Sequence, residues 1–377
     1  MTTTVPPAVA SRDAFGTVTT TVHGTAAQAR DEKRRSTSTL RATDLLAAAG
    51  AAAASLSLSI LLFTQFAPFD GKLGFVVVAW LLFVAAYTLL VSFDEDSPAV
   101  RDKVAAVVVQ SLAFVVLLAL VFVIGFTVLR GREALLNSNF LTTDLSNTGP
   151  LDPLTSGGVL HAIVGTLQQI ALALLITVPL GLTCAVFLNE VPGRFGRFVR
   201  TISEAMTALP SIVAGLFIYA VWVTTFGFQR VAFAVSLALV LLMVPVIVRS
   251  TEEMLKLVPN ELREASYALG VPKWKTIASI VLPTALSGII TGVMLGLARV
   301  MGETAPLLIL GPYNSSIATD LFNGNMATLP TMINVNRSDL GLPAAYERVW
   351  AAALTLILLV LLLNVAARVI ARFSKIS

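Results

Sequence analysis

Eight times between residues 44 and 371 the chain runs for about twenty residues with almost no charge, the length a helix needs to cross a ~30 Å hydrocarbon layer. The runs lie at roughly 44–66, 74–93, 104–129, 159–188, 205–226, 231–249, 284–305 and 347–371. Inside hydrocarbon every backbone N–H and C=O must find a partner within the protein, so runs of this length are expected as helices. The ten-residue alternation of a membrane barrel strand is absent. The expected fold is therefore all-α and polytopic, with about eight transmembrane helices. Composition agrees: charged residues make up 13% of the chain, against about 25% in a soluble domain.

The placement of positive charge orients the helices. With the N-terminus in the cytoplasm, eight spans bring the C-terminus back to the same side. The inner segments then carry 19 Lys and Arg and the outer segments six, with Arg299 left inside a span. Inverting the chain would reverse that split, so the positive-inside rule favours cytoplasmic termini in a multi-pass membrane protein. Spans five and six are separated only by residues 227–230, which implies a tight hairpin.

Other function classes fall away on residue counts. A net charge of +4 is too small to imply nucleic acid as a partner. Cys184 is the one cysteine, and His23 and His161 are the two histidines, so neither a disulfide nor a multi-Cys or His-rich metal site is expected. Residues 1–42 lack apolar periodicity and are read as a disordered tail. Residues 43–98 form an expected extra hairpin, and 99–377 the main membrane region.

One loop differs in kind from the rest. Within 250–283, Asn260 suits a helix N-cap and Gly270 a C-terminal stop, with Pro272 beyond it. Between them Leu262, Ala265, Ser266 and Leu269 share one face of a short helix, with Glu261, Arg263 and Glu264 largely off it. Such a helix on the cytoplasmic side fits a docking element, and fits equally a helix lying on the bilayer.

The loop also carries a long fixed spacing: Glu264-Ala265-Ser266, three residues, Gly270, nine residues, then Ile280-Val281-Leu282-Pro283. It resembles the EAA loop of ABC importer permeases, with Ser266 in place of the second Ala. Four further stretches, AIVGTL (162–167), LPSIVAGLF (209–217), ARVMGETAPL (298–307) and MATLPTMI (326–333), are similar to the A-type permease subunits of phosphate-specific ABC importers. The resemblance covers about 159–372, with span 104–129 as the first core helix. It implies a six-helix permease core for inorganic phosphate and gives the first two spans no role. It implies that Glu264, Ala265, Ser266, Gly270, Leu262 and Leu269 couple this chain to a separate ATP-binding subunit. The implied partners are a second homologous permease, two ATP-binding subunits and an external phosphate-binding protein. The chain has no G-x-x-x-x-G-K-[ST] loop, so ATP and Mg are expected on the partner and no cofactor in this chain.

Arg299 and Glu303 stand out because ionisable groups inside a span are costly, about 2.5–3.5 kcal/mol on insertion scales. At i, i+4 they are expected on one helix face, close enough to pair. Either they form a structural ion pair, or Arg299 lines the path and meets phosphate oxygens, a bidentate match that guanidinium makes well, while Glu303 tempers its charge. The rival assignments are the partner permease of the same importer, a permease for another oxyanion such as molybdate or sulfate, and an ion-coupled secondary transporter. An intramembrane metalloprotease would want H-E-x-x-H, which two isolated histidines cannot supply.

Overall fold

The computed structural model describes residues 42–66, 71–191 and 193–373. The tail read as disordered lies, up to residue 41, outside them. Among the described residues all regular structure is helical. Seven helices are long and apolar enough to cross a membrane, and a pair bent by 106° makes an eighth if it is taken as one span.

The described residues fall into two compact units that divide between Val116 and Leu117. In the first, α1 (Ala42–Leu61, continued by a π-helical turn to Phe66) and α2 (Lys72–Ser92) pack with the first half of α3 (Ser97–Leu135). Ala51, Tyr87 and Val91 form the small core there, and the Trp80 indole donates to Ser111 Oγ at 2.9 Å. At 39 residues, α3 is about 58 Å long, well beyond the membrane thickness. Its apolar side chains are almost all exposed, as a lipid-facing helix requires.

The second unit is built around two helices, α4 (Leu160–Glu190) and α7 (Ala232–Lys256). Small residues let them approach closely: Ala173 of α4 meets Ala234 and Ala238 of α7 in one buried cluster. A Cβ added at Gly181 would come within 2.6 Å of Ile247. Without a hydrophobic driving force between helices in lipid, this close packing is the main source of attraction.

The expected fifth span, 205–226, is two elements instead. α5 (Arg194–Thr207) ends at Ala208, and the chain turns by 106° into α6 (Ser211–Ile218), which continues as a π-helical turn to Thr225. Pro210 causes the break, because it lacks an N–H and pushes Leu209 out of helical conformation.

The loop after α7 folds as α8 (Asn260–Ala268) and α9 (Lys273–Thr276). A π-helical turn over Ile277–Val281 then leads into α10 (Leu282–Met301), making one continuous rod of 29 residues. The wide turn sits just before Pro283, where the missing N–H disrupts the regular ladder. Gly288 and Gly292 of α10 receive Met254 and Ser250 of α7, so these glycines serve the contact between the two helices.

The expected seventh span ends early. Gly302 to Thr304 interrupt it before α11 (Ala305–Leu310), whose N-terminus carries Pro306. α12 (Leu329–Val335) follows, and after a 3-10 turn α13 (Pro343–Phe373) closes the bundle. Met301 packs with Ile170, ten residues into α4, so α10 ends about 15 Å short of the N-terminal end of α4.

Candidate functional site

The four stretches outside the loop meet in pairs. Thr166 of AIVGTL accepts the Leu329 backbone N–H of MATLPTMI at 2.9 Å, and Gly165 abuts Ala327. Thr328 and Thr331 cap the start of α12 reciprocally. In the second pair, a Cβ at Gly215 of LPSIVAGLF would fall 2.8 Å from Pro306 Cα of ARVMGETAPL. These small and β-branched residues therefore fix where α11 and α12 dock on α4 and α6.

Arg299 lies in the last turn of α10 and is exposed, on a stripe with Thr291 and Leu295. The expected pairing is not formed: among the described residues no ion pair joins Arg299 to Glu303. The physical reason is the helix end. α10 stops at Met301, so the i, i+4 geometry does not extend to Glu303, whose N–H donates to Val300 O at 3.0 Å. Gly302 and Thr304, on either side of Glu303, line a cavity of about 460 Å³ closed by α12 and α13, with Arg337, Asn334 and Trp350 on its wall.

Sequence reading passed over Gln169. It is buried beside Val300 and Met301, and its Oε1 has no protein partner. The space next to it, about 10 Å³, is near the size that holds one water. A carboxamide in an otherwise apolar run was the available signal. His161 is buried, with Nε2 3.0 Å from the Tyr313 hydroxyl. Burial pushes the Tyr313 phenol up to about 12.

At the other end of the bundle, α8 takes the expected form with two changes. Pro259, not Asn260, occupies the N-cap, and no side chain caps the first turn. The shared face also splits. Ser266 turns inward, 3% exposed, and its hydroxyl lies 2.8 Å from Thr276 Oγ1, while Leu262, Ala265 and Leu269 stay in the open with Glu264. Leu269 is 84% exposed, and Trp274, five residues on, is 70% exposed.

Gly270 ends the helix as expected. Its φ of +74° is left-handed, its N–H donates to Tyr267 O at 2.9 Å, and Val271 N–H reaches Ser266 O at 3.2 Å. That bond pair is the Schellman stop, and the left-handed residue in it favours glycine.

Glu190 was not singled out in the sequence, yet it ties this loop to α4. Its carboxylate takes an ion pair from Arg263 of α8 and another, at 3.2 Å, from Lys273 at the start of α9. Lys273 also donates to the Glu190 carbonyl at 2.9 Å, and Arg263 to Leu255 O at 3.3 Å. Glu252 of α7 plays the matching part for α5, accepting Arg200 at 2.6 Å and Lys256 at 2.7 Å. Glu190, between Arg263 and Lys273, thus gives the loop its seat on α4, while Glu252 joins α5 to α7.

Comparison with known proteins follows the same lines. Residues 177–375 match the family described as binding-protein-dependent transport system inner membrane component. The phosphate transport system permease protein PstA 1 of Mycobacterium tuberculosis is 49% identical over 274 residues, 72% of this chain and 87% of that one. The PstA protein of Yersinia pestis is 37% identical over 273 residues, 72% of this chain and 90% of its own length. Among solved structures, the bacterial alginate ABC transporter in complex with its alginate-bound periplasmic protein aligns with a TM-score of 0.52. It covers 73% of this chain and 96% of that one at 16% identity, which is a likeness of fold.

Proposed function

The chain belongs to the family of binding-protein-dependent transport system inner membrane components, and from that premise we propose that it is the transmembrane permease subunit of an ATP-driven importer of inorganic phosphate. The observation that carries the reading is α8: a short helix seated by Glu190 and Ser266 on one side, with Leu262, Ala265 and Leu269 left open on the other. Substrate identity rests on the similarity to PstA proteins across 72% of the chain.

In this reading α8 docks into a separate ATP-binding subunit, and a second, related permease chain completes the pore. An external binding protein delivers phosphate on the far side. The chain itself carries out no covalent chemistry; ATP and Mg belong to the partner. Closure of the ATP-binding subunits pulls on α8. The pull reaches α4 through Arg263 and Glu190, and α10 through the unbroken rod that starts at Lys273. The moving end of that rod is the break at Gly302–Thr304 with Arg299 beside it. An Arg exposed this deep on a spanning helix is costly against lipid, so its stripe is assigned to the path between the two permeases. There guanidinium meets phosphate oxygens, and Glu303 keeps the site weak enough to release them.

The test is phosphate uptake in cells lacking their own importer, with the chain co-expressed with its ATP-binding and permease partners. Replacing Leu262 and Leu269 together by Ser should abolish uptake while the chain still reaches the membrane. Normal uptake by that variant would remove α8 from the coupling role.

A further inference from the structure

α5 lies between the spanning helix α4, which ends at Glu190, and α6, which begins at Ser211 and runs with its π-helical turn to Thr225. It stands close to a right angle to the α6 segment, at 106°. With α6 read as crossing the bilayer, a helix turned this far from it runs along the membrane face and not through it.

Its residues are sorted to suit. Phe195, Phe198 and Ile202, at i, i+3 and i+7, point away from the protein and are 66%, 59% and 45% exposed. Arg197 and Arg200 lie on the opposite side, and Arg194 borders the apolar face next to Phe198. Arg200 is engaged by Glu252 of α7, which sews the polar side of α5 to the bundle. Arg194 and Arg197 are exposed and make no ion pair among the described residues. The Phe195 ring also packs edge-on against Phe187, one turn before the end of α4, at 5.7 Å between centroids. This contact fixes the apolar face beside the last turn of α4.

We propose that α5 is a lipid-binding interfacial helix, with Phe195, Phe198 and Ile202 in the acyl boundary and Arg194 and Arg197 on the headgroups of anionic phospholipid. Large exposed aromatics opposite arginines are the composition such helices use. Each basic residue held near an anionic leaflet adds to the attraction. Cysteine-free chain is needed for labelling, and Cys184 is the one cysteine to replace. The role requires only that α4 and α6 span the bilayer, so it stands whether or not phosphate is the substrate.

The test uses the full chain with Cys184→Ala, spin-labelled in turn at Phe198→Cys, Ile202→Cys, Arg197→Cys and Thr201→Cys. Each is reconstituted in phosphatidylcholine vesicles with and without phosphatidylglycerol. Labels at 198 and 202 should be open to oxygen and closed to an aqueous nickel complex, and labels at 197 and 201 the reverse. In detergent, native mass spectrometry should find phosphatidylglycerol enriched over phosphatidylcholine on the unlabelled chain, and that enrichment lost in Arg194→Gln/Arg197→Gln. Nickel access at all four positions would overturn the interfacial placement. Labels at 198 and 202 shielded from both reagents would mean that protein covers this face, and would overturn it too. Correct depths with no enrichment of the anionic lipid would overturn the headgroup assignment.

Discussion

Ser266 and Thr276, ten residues apart in the loop between α7 and α10, hold each other through a 2.8 Å bond between buried hydroxyls. Ser266 stands where the EAA pattern has its second alanine. The extra hydroxyl is therefore a local bridge from α8 to α9. Replacing Ser266 by Ala should lower stability by about 1 kcal/mol, the usual net worth of one such bond. Ser266→Ala and Thr276→Val combined should cost less than the sum of the two. Thermal unfolding of the purified chain, read as a double-mutant cycle, checks this.

Glu190→Gln should have a larger effect. It leaves Arg263 and Lys273 without their shared carboxylate in a site where the side chains of Glu190 and Arg263 are 11% and 14% exposed. Breaking a largely buried pair from one side costs about 3 kcal/mol. The expected phenotype is uncoupling: phosphate uptake falls sharply while ATP hydrolysis by the assembled transporter persists. The exchange Glu190→Arg with Arg263→Glu should recover part of the uptake. Equal loss in the single and exchanged variants would show that the pair does not transmit the motion.

Gly270 has open space around its Cα, so a side chain there meets no neighbour. The penalty in Gly270→Val comes from the φ of +74° alone, about 1–2 kcal/mol. Uptake should be abolished with membrane insertion intact. Gly270→Asn, which tolerates the left-handed region, should keep much of the activity. Uptake and membrane level measured together separate the two outcomes.

Tyr313 gives a pH signature. Its folded-state value of about 12 lies above the ordinary 10.0. Stability is thus unaffected below pH 10 and falls between about 10 and 12, as the unfolded chain releases the phenolic proton first. Tyr313→Phe should flatten that alkaline decline in thermal melts and lower stability near neutral pH through loss of the bond to His161.

Much of this architecture is legible in the residues, and the exceptions have physical causes. α4, α7 and α13 follow from uninterrupted apolar length, and the end of α8 from Gly270 and its neighbours. The fifth span starts at Ser211 and not at 205, because Pro210 breaks the helix within the apolar run, although Phe195, Phe198 and Ile202 already recur with the helical period of a surface helix. The Arg299–Glu303 pairing assumed helix through Gly302, the residue after which α10 gives out. Glu190 was beyond reach in another way: its partner Arg263 lies 73 residues on, and no local pattern joins them. Contacts of that kind depend on how α4 and the loop come together, which the order of residues does not display.

The central claim, a phosphate path past Arg299 driven by ATP, meets its most direct test in proteoliposomes. The chain would be reconstituted with its permease and ATP-binding partners, given binding protein and labelled phosphate outside, and ATP within. Uptake should require ATP, fall strongly in Arg299→Lys, where the planar fork is lost but the charge kept, and nearly vanish in Arg299→Gln/Glu303→Gln with assembly unchanged. Near-normal ATP-dependent phosphate uptake by that double variant would contradict the account and return both residues to a structural role.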